Sequence, residues 1–504
     1  MTDRPAAERE PGSYRDPSGF VFRRDGVLYR QVNAVFAYDW AAFESSGLHA
    51  DLISEGVLVA DRPAAIDLAP EPLAVAVIRP DEIGFISHPF EWSFSQLKDA
   101  ALLTLRAQAM AGERGMTLRD ASAYNVQFRD GRPVLIDTLS FERVRAGAPW
   151  KPYRQFCENF LAPLALMAHR DGRLGQLLRT WIDGVPLDLA SELLPRRTRF
   201  SAGLAAHIHL HARAQRRHAG DAGTADARSA GAGPGAAGAD AAPRVVTMSD
   251  NRRLALLDHL RRTVEGLHLP AHGTEWADYA DQTSYSATGT SSKEAIVRRM
   301  LEAAAAAGGR RAWDVGANTG RYSTIAAEAG FEVLAVDGDW AAVERNYLAL
   351  RAAGERRIMP LLADIADPSP AIGWANAERA SLIERAYADV VVALALVHHL
   401  AIGRNVPLEM VAQLLARLAP NLVVEWVPKE DPMVQRLLSA REDIFPGYTV
   451  EGFKEAFERR FEVVEEAPIE DSKRILFRMR RRDSPRVSRS RPSRGSARSR
   501  AGSV

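Results

Sequence analysis

The sequence predicts an α/β protein of two folded units, a C-terminal doubly wound, mostly parallel sheet and an N-terminal α+β block. Three observations lead there. Short β-rich runs alternate with helical runs through the second half, the order that builds right-handed βαβ units covered on both faces. Residues 219–243 are Ala or Gly at 17 of 25 positions and carry no large apolar side chain, so they read as a linker between the two. The first half opens with GFVFRRDGVLYRQV, in which Asp25-Gly26 is a hairpin signal.

Taken in order, residues 1–13 are expected to be disordered and 14–218 to form the α+β unit. After the hairpin come a helical stretch from Ser95 to Gly115, a loop LRDASAYN and a strand pair around Asp130-Gly131. The linker spans 219–244. The second unit, 245–480, runs RRAWDV, RYSTIAAEAG, FEVLAVD, WAAVERNYLALRAAG, RRIMPLL, DVVVALAL, PLEMVAQLLARLA and NLVVEWV, with FEVVEEA and RILFRMR as an antiparallel edge. Ligands of such sheets bind at the carboxyl ends of the strands. Residues 481–504 are a basic, disordered tail.

With 504 residues, 46% hydrophobic and 26% charged, the chain has the composition of a soluble globular protein, which excludes fibrous and disulfide-framework classes. Its net charge of +1 is an average. Nine Arg and one Asp from Arg480 to Arg500 carry +8, leaving −7 on the rest. The tail offers contact with nucleic acid or an anionic surface, although solvated disorder is the simpler reading. Cys157 stands alone, no apolar leader opens the chain, and the run from Val390 is too short for a membrane span, so a cytoplasmic location without a span is expected.

The strongest motif is Trp313-Asp314-Val315-Gly316-Ala317-Asn318-Thr319-Gly320, a strand end turning into a helix. Gly316 and Gly320 permit a tight turn and the close approach of a ligand. The spacing D-x-G-x-x-x-G differs from the dinucleotide G-x-G-x-x-G and argues against a dehydrogenase. Asp337, ending the next strand, is placed to accept from both hydroxyls of a ribose, and Asp364, after the third, from an adenine amino group. Asp314 would face the cationic amino-acid part of a sulfonium ligand.

On these residues the second block resembles class I S-adenosylmethionine-dependent methyltransferases. About Trp276 to Met479 also resembles bacterial methyltransferases of the host-specific nodulation type, through TEWADY, WDVGANTG, PSPAIGWANAER, ALALVHHLAIGRNVPL and WVPKEDPMVQRLLSAREDIFPGY. The resemblance implies S-adenosylmethionine as cofactor, bound by Asp314, Gly316, Asn318, Gly320, Asp337 and Asp364, and a small-molecule or saccharide hydroxyl as acceptor. An oxygen nucleophile needs a base, for which His398, His399 and Glu425 are the candidates, with helix capping and packing the competing role of the histidines. Trp374 is a candidate to stack on adenine or to pack in the core. Lys429 and Glu430 suit either a lid or a charged helix start.

In the first block Asp120, Asn125 and Asp137 have the spacing of the catalytic loop and metal-binding Asp of protein kinases and aminoglycoside phosphotransferases, and LRDASAYN and SHPFEWSFSQLKDAALLTL extend the nodulation-type resemblance. By analogy Asp120 would be the base, with Asn125 and Asp137 holding magnesium. Leu118 replaces the usual loop histidine, Thr-Leu follows Asp137, no Gly-rich phosphate loop precedes them, and Arg30 is the nearest cation to the missing lysine. A kinase-like domain that presents an acceptor is therefore the leading reading. Its rivals are a phosphotransferase with a cofactor-sensing second half and a non-catalytic scaffold. His207, His209, His211 and His218 lack a Cys or carboxylate to complete a metal set, so no metal is assigned.

Overall fold

The computed structural model describes residues 7–214, 247–270, 285–439 and 442–482. The expected linker, the tail from 483 onward, TEWADY and His218 lie outside the described residues.

The first unit begins with an antiparallel sheet of β1 (Glu8–Arg9), β2 (Gly19–Arg24), β3 (Val27–Asn33), β4 (Asp61–Ala64) and β5 (Ala74–Pro80), in the order β1-β2-β3-β5-β4. Asp25 and Gly26 both take positive φ, 52° and 76°, which matches the right-handed twist of β2 and β3. The helix Phe94–Glu113 starts where Ser93 and Gln96 cap each other, and it is buried along most of its length. Two short ribbons follow, β6 (Met116–Leu118) with β9 (Phe141–Arg143) and β7 (Val126–Arg129) with β8 (Arg132–Leu135).

Two expectations are corrected here. Residues 7–13, assigned to a disordered start, are held: β1 pairs with β2, Val21 N–H donates to Ser13 Oγ at 2.7 Å, and the Arg9 guanidinium lies 4.1 Å over Phe20. The helix Asp250–Glu265, assigned to the second unit, packs on the first, because Leu257, Leu260 and Val264 form one apolar stripe that joins the core of Phe156 and Leu161. The histidine-rich stretch is core as well. His207 contacts Tyr153 Oη at 2.6 Å and His259 at 2.8 Å, and His209 lies between Ser191 and Thr198.

The second unit is a seven-stranded sheet of β10 (Arg311–Val315), β11 (Glu332–Asp337), β12 (Ile358–Leu362), β13 (Val390–Ala393), β14 (Asn421–Trp426), β15 (Phe461–Pro468) and β16 (Ile475–Arg481). The order is β12-β11-β10-β13-β14-β16-β15, with the first five parallel and β16 antiparallel to both neighbours. Alternate residues feed two cores. Trp313, Leu334, Val336 and Val391 face one, and Ala312, Val333, Ala335 and Val392 the other. The helices Ala287–Ala306 and Arg321–Glu328 cover the second face, and Leu408–Leu418 and Val450–Glu458 the first. Because the order reverses at β10 and β13, the carboxyl ends of β10, β11 and β13 meet at one crevice. No described helix is long and apolar enough to cross a membrane.

Candidate functional site

The loop after β10 is built by backbone demands. Gly316 (φ 80°), Asn318 (φ 50°) and Gly320 (φ 87°) are left-handed, and a Cβ on Gly320 would meet the Asn346 amide at 2.5–2.7 Å. The N–H groups of Gly316 and Ala317 both donate to Val336 O, which ties the loop to the end of β11. Asn318 N–H donates to Asp337 Oδ2 at 2.7 Å and Asp339 N–H to Asp337 Oδ1 at 2.8 Å. Burial raises the Asp337 carboxyl pKa, and these two N–H groups partly offset the shift.

Asp364 borders the same edge: a Cβ on Gly338 would lie 3.5 Å from it. Its Oδ1 accepts from Ala366 N–H at 2.8 Å and its Oδ2 from Arg404 at 2.9 Å. Asp314 is buried and accepts from Ser323 Oγ at 2.6 Å, and burial pushes its pKa up to about 6. The six residues named for the cofactor thus stand on the carboxyl ends of β10, β11 and β12.

His398 and His399 follow β13 at the start of a π-helical turn, His399–Gly403, with ring centroids 4.1 Å apart. Burial lowers both pKa values, that of His399 to about 4, so both rings are neutral at pH 7. His398 Nδ1 is buried and has no hydrogen-bond partner among the described residues.

Glu425, expected as a second base, stands near the end of β14 and is fully engaged by protein donors. Its Oε2 accepts from Lys293 Nζ at 2.7 Å and Ala395 N–H at 2.8 Å, and its Oε1 from Tyr285 Oη and from Arg474 at 3.3 Å. Burial alone would raise its pKa, but Lys293 and Arg474 overcome that and hold it near 2. A carboxylate so engaged is a poor proton acceptor and a good anchor: it fixes Ala395, which is left-handed at φ 49°, in front of the histidines. Arg474 in turn grips Asp431 at 2.7 and 3.0 Å.

Lys293, Arg474, Tyr285 and Tyr322 were not anticipated. The one local signal is that Lys293 occupies the apolar stripe of Ala287–Ala306, with Ile296, Val297 and Met300. Trp374 is 74% exposed, which rules out core packing. Its loop, left-handed at Gly373, Ala375 and Asn376, is tied down by Glu378, which accepts from Trp374 N–H and from both Arg15 and Tyr14 of the first unit. Lys429 pairs with Asp443 at 2.7 Å.

In the first unit Asp120, Asn125 and Asp137 do come together. Asn125 donates to Ser140 Oγ, which donates to Asp137, and the charge of Asp137 adds to burial in raising the Asp120 pKa. Arg30 donates to Asp137 Oδ1 at 2.5 Å, so both Asp137 oxygens are occupied by protein donors. No group of three or more His, Cys, Asp or Glu among the described residues is arranged to hold a metal ion.

No family model matches the chain. The nodulation protein NoeA of Rhizobium meliloti strain 1021 is 34% identical over 485 residues, 95% of this chain and 97% of that one. Among solved structures, the bifunctional kinase-methyltransferase WbdD aligns with a TM-score of 0.30 at 13% identity, over 40% of this chain and 41% of its own. Magnesium protoporphyrin IX methyltransferase ChlM from Synechocystis PCC 6803, with bound SAH, aligns at 0.30 and 16% identity, over 41% of this chain and 93% of its own. The N-methyltransferase NodS from Bradyrhizobium japonicum WM9 aligns at 0.28 and 13% identity, over 39% and 98%.

Proposed function

The chain belongs to the family of the nodulation protein NoeA, and on that premise we propose that it is an S-adenosylmethionine-dependent methyltransferase acting on a small-molecule or saccharide hydroxyl. The observation that carries this reading is Asp337, a carboxylate fixed by two backbone N–H groups at the mouth of the Gly316–Gly320 loop. A carboxylate has about four acceptor sites. Two are used internally, which leaves capacity for the paired hydroxyls of a ribose. The run of Asp314, Asp337 and Asp364 along three adjacent strand ends, beside the left-handed Gly316–Gly320 loop, fits an adenosyl amino acid.

Bound there, the cofactor supplies an electrophilic methyl group on a sulfonium. The chain's own contribution is position and proton handling. Strands β10 and β13 hold the two reactants side by side, and alignment of that kind supplies much of the rate of an in-line displacement. His398, neutral and with Nδ1 unpartnered among the described residues, is the proposed acceptor of the hydroxyl proton, with the ring of His399 tilted at 38° beside it. The first unit is proposed as a kinase-like module that presents the acceptor, with Arg30 paired to Asp137, the carboxylate a magnesium ion would need.

Calorimetric titration with S-adenosylhomocysteine tests the cofactor assignment. Asp337→Ala is expected to weaken binding about tenfold or more, the loss of hydrogen bonds to a charged group. Equal affinity in the variant and the parent would overturn the assignment.

A further inference from the structure

The connection between β12 and β13 holds an indole in the open by a rigid loop. Ile372 and Arg379 close the loop with two backbone hydrogen bonds of 3.0 Å each. Between them Gly373, Ala375 and Asn376 are left-handed, at φ 81°, 54° and 53°. Such backbone is costly for residues with side chains, persists only where the surroundings over-determine it, and clusters at ligand clamps. Here the surroundings are the buried carboxylate of Glu378. Its Oε2 accepts from Trp374 N–H at 3.0 Å, from Tyr14 Oη at 3.1 Å and from Arg15 Nη2 at 2.8 Å, and its Oε1 accepts from Arg15 Nε at 2.8 Å. A Cβ on Gly373 would strike the Glu378 side chain at 2.6–3.0 Å, so the turn into Trp374 needs a glycine.

One carboxylate oxygen thus gathers two aromatic residues, one from each unit, and both face solvent: Trp374 is 74% exposed and Tyr14 40%. The groups beside them are charged. The Arg15 guanidinium lies 5.7 Å from the centre of the Tyr14 ring, and its Nη1 faces the exposed carboxylate of Asp183 at 3.9 Å. A lipid or a protein core would call for a wide, contiguous apolar patch. This surface offers a flat indole bordered by a guanidinium and a carboxylate. Its complement is a ring with an apolar face and polar groups around the edge, which is the chemistry of a sugar: C–H groups on the face, hydroxyls on the rim. A planar guanidinium and a carboxylate are, respectively, donors to and acceptors from such hydroxyls.

We propose that Trp374 and Tyr14, with Arg15 and Asp183, form a saccharide-binding subsite at the seam of the two units, in which Trp374 stacks on the face of a sugar ring. Arg15 and Asp183 take its hydroxyls, and Glu378 is the positioning residue that fixes both aromatic residues. The subsite deepens the acceptor reading given above and rests on it for the link to methyl transfer. It gives the first unit a stated part in holding the acceptor.

The test uses the full-length protein and saturation-transfer NMR with three probes, cellotetraose, maltotetraose and N-acetylated chitotetraose, of which the parent is expected to bind at least one. For that probe Trp374→Ala is expected to weaken binding about tenfold, the loss of one stacked ring. Trp374→Phe, which keeps a flat face, is expected to recover part of it. Because the indole is exposed, Trp374→Ala is expected to keep the Tm of the parent. Its affinity for S-adenosylhomocysteine is expected to stay within about twofold, as for a site with no shared partners. Binding of none of the three probes by the parent, or equal affinity in the parent and Trp374→Ala, would overturn the subsite and leave the cofactor reading standing. Adsorption of the parent to phosphatidylcholine vesicles, lost in Trp374→Ala while no tetrasaccharide binds, would assign the surface to a membrane and overturn it as well. Failure of the parent to bind S-adenosylhomocysteine, with the tetrasaccharide still bound through Trp374, would overturn the proposed function and not the subsite.

Discussion

At the scale of single residues, the two glycines of the loop after β10 separate conformation from space. Gly316 and Gly320 are both left-handed, but a Cβ on Gly316 would find its nearest neighbour, Leu396, at 3.5 Å, whereas one on Gly320 would strike the Asn346 amide. Left-handed backbone costs a residue with a side chain about 1–2 kcal/mol. Overpacking adds about 1–3 kcal/mol. Gly316→Ala is therefore expected to lose about 1–2 kcal/mol of stability and Gly320→Ala about 2–5 kcal/mol, with the larger fall in Tm for Gly320→Ala. Equal falls would mean that Asn346 moves aside freely. These glycines, like the strand-end aspartates, were legible in the sequence because each answers a backbone demand within a few residues. The Glu425 network was not. Its members Tyr285, Lys293, Glu425 and Arg474 are spread over nearly two hundred residues, and only the fold shows that a carboxylate with the look of a base is an anchor.

At the scale of elements, the second sheet was readable from the chain because its parallel strands are buried on both faces and appear as unbroken apolar runs such as Val390–Ala393. The closing pair β15 and β16 was readable too. The misassigned helix, Asp250–Glu265, shows what pattern alone leaves open: an apolar stripe states that a helix packs, not what it packs against. The Ala/Gly-rich segment reads as a border, yet the helix beyond it returns to the first unit, where Leu260 is fully buried and Leu254 is 58% exposed. Leu260→Ala is expected to cost about 2–5 kcal/mol, and Leu254→Ala to stay within about 0.5 kcal/mol. Matching effects of the two substitutions in a denaturant titration would contradict the packing of this helix on the first unit.

At the scale of the whole molecule, the two units meet across a buried seam. Tyr347, on the helix Trp340–Ala353 of the second unit, lies in the core of the first and donates to Asp99 at 2.7 Å. Glu344 from the same helix accepts from Ser95 N–H at 2.9 Å, at the start of Phe94–Glu113. The centre of the seam is Arg385, whose guanidinium makes two bonds to Glu91 and a third to Ile86 O, with both charged side chains almost wholly buried. An exposed ion pair is worth about 0–1 kcal/mol, but removing one partner of a buried pair leaves the other charge stranded and costs about 3–5 kcal/mol. Arg385→Met should thus lower the Tm of the whole chain, and Arg385→Met/Glu91→Gln should recover part of the loss, because the stranded charge is gone. Since the two units melt together if their cores are continuous, scanning calorimetry of the parent should show one transition. Two well-separated transitions, only one of them sensitive to Arg385→Met, would show that the units unfold independently and that the first is an appendage to the seven-stranded sheet rather than one of its walls.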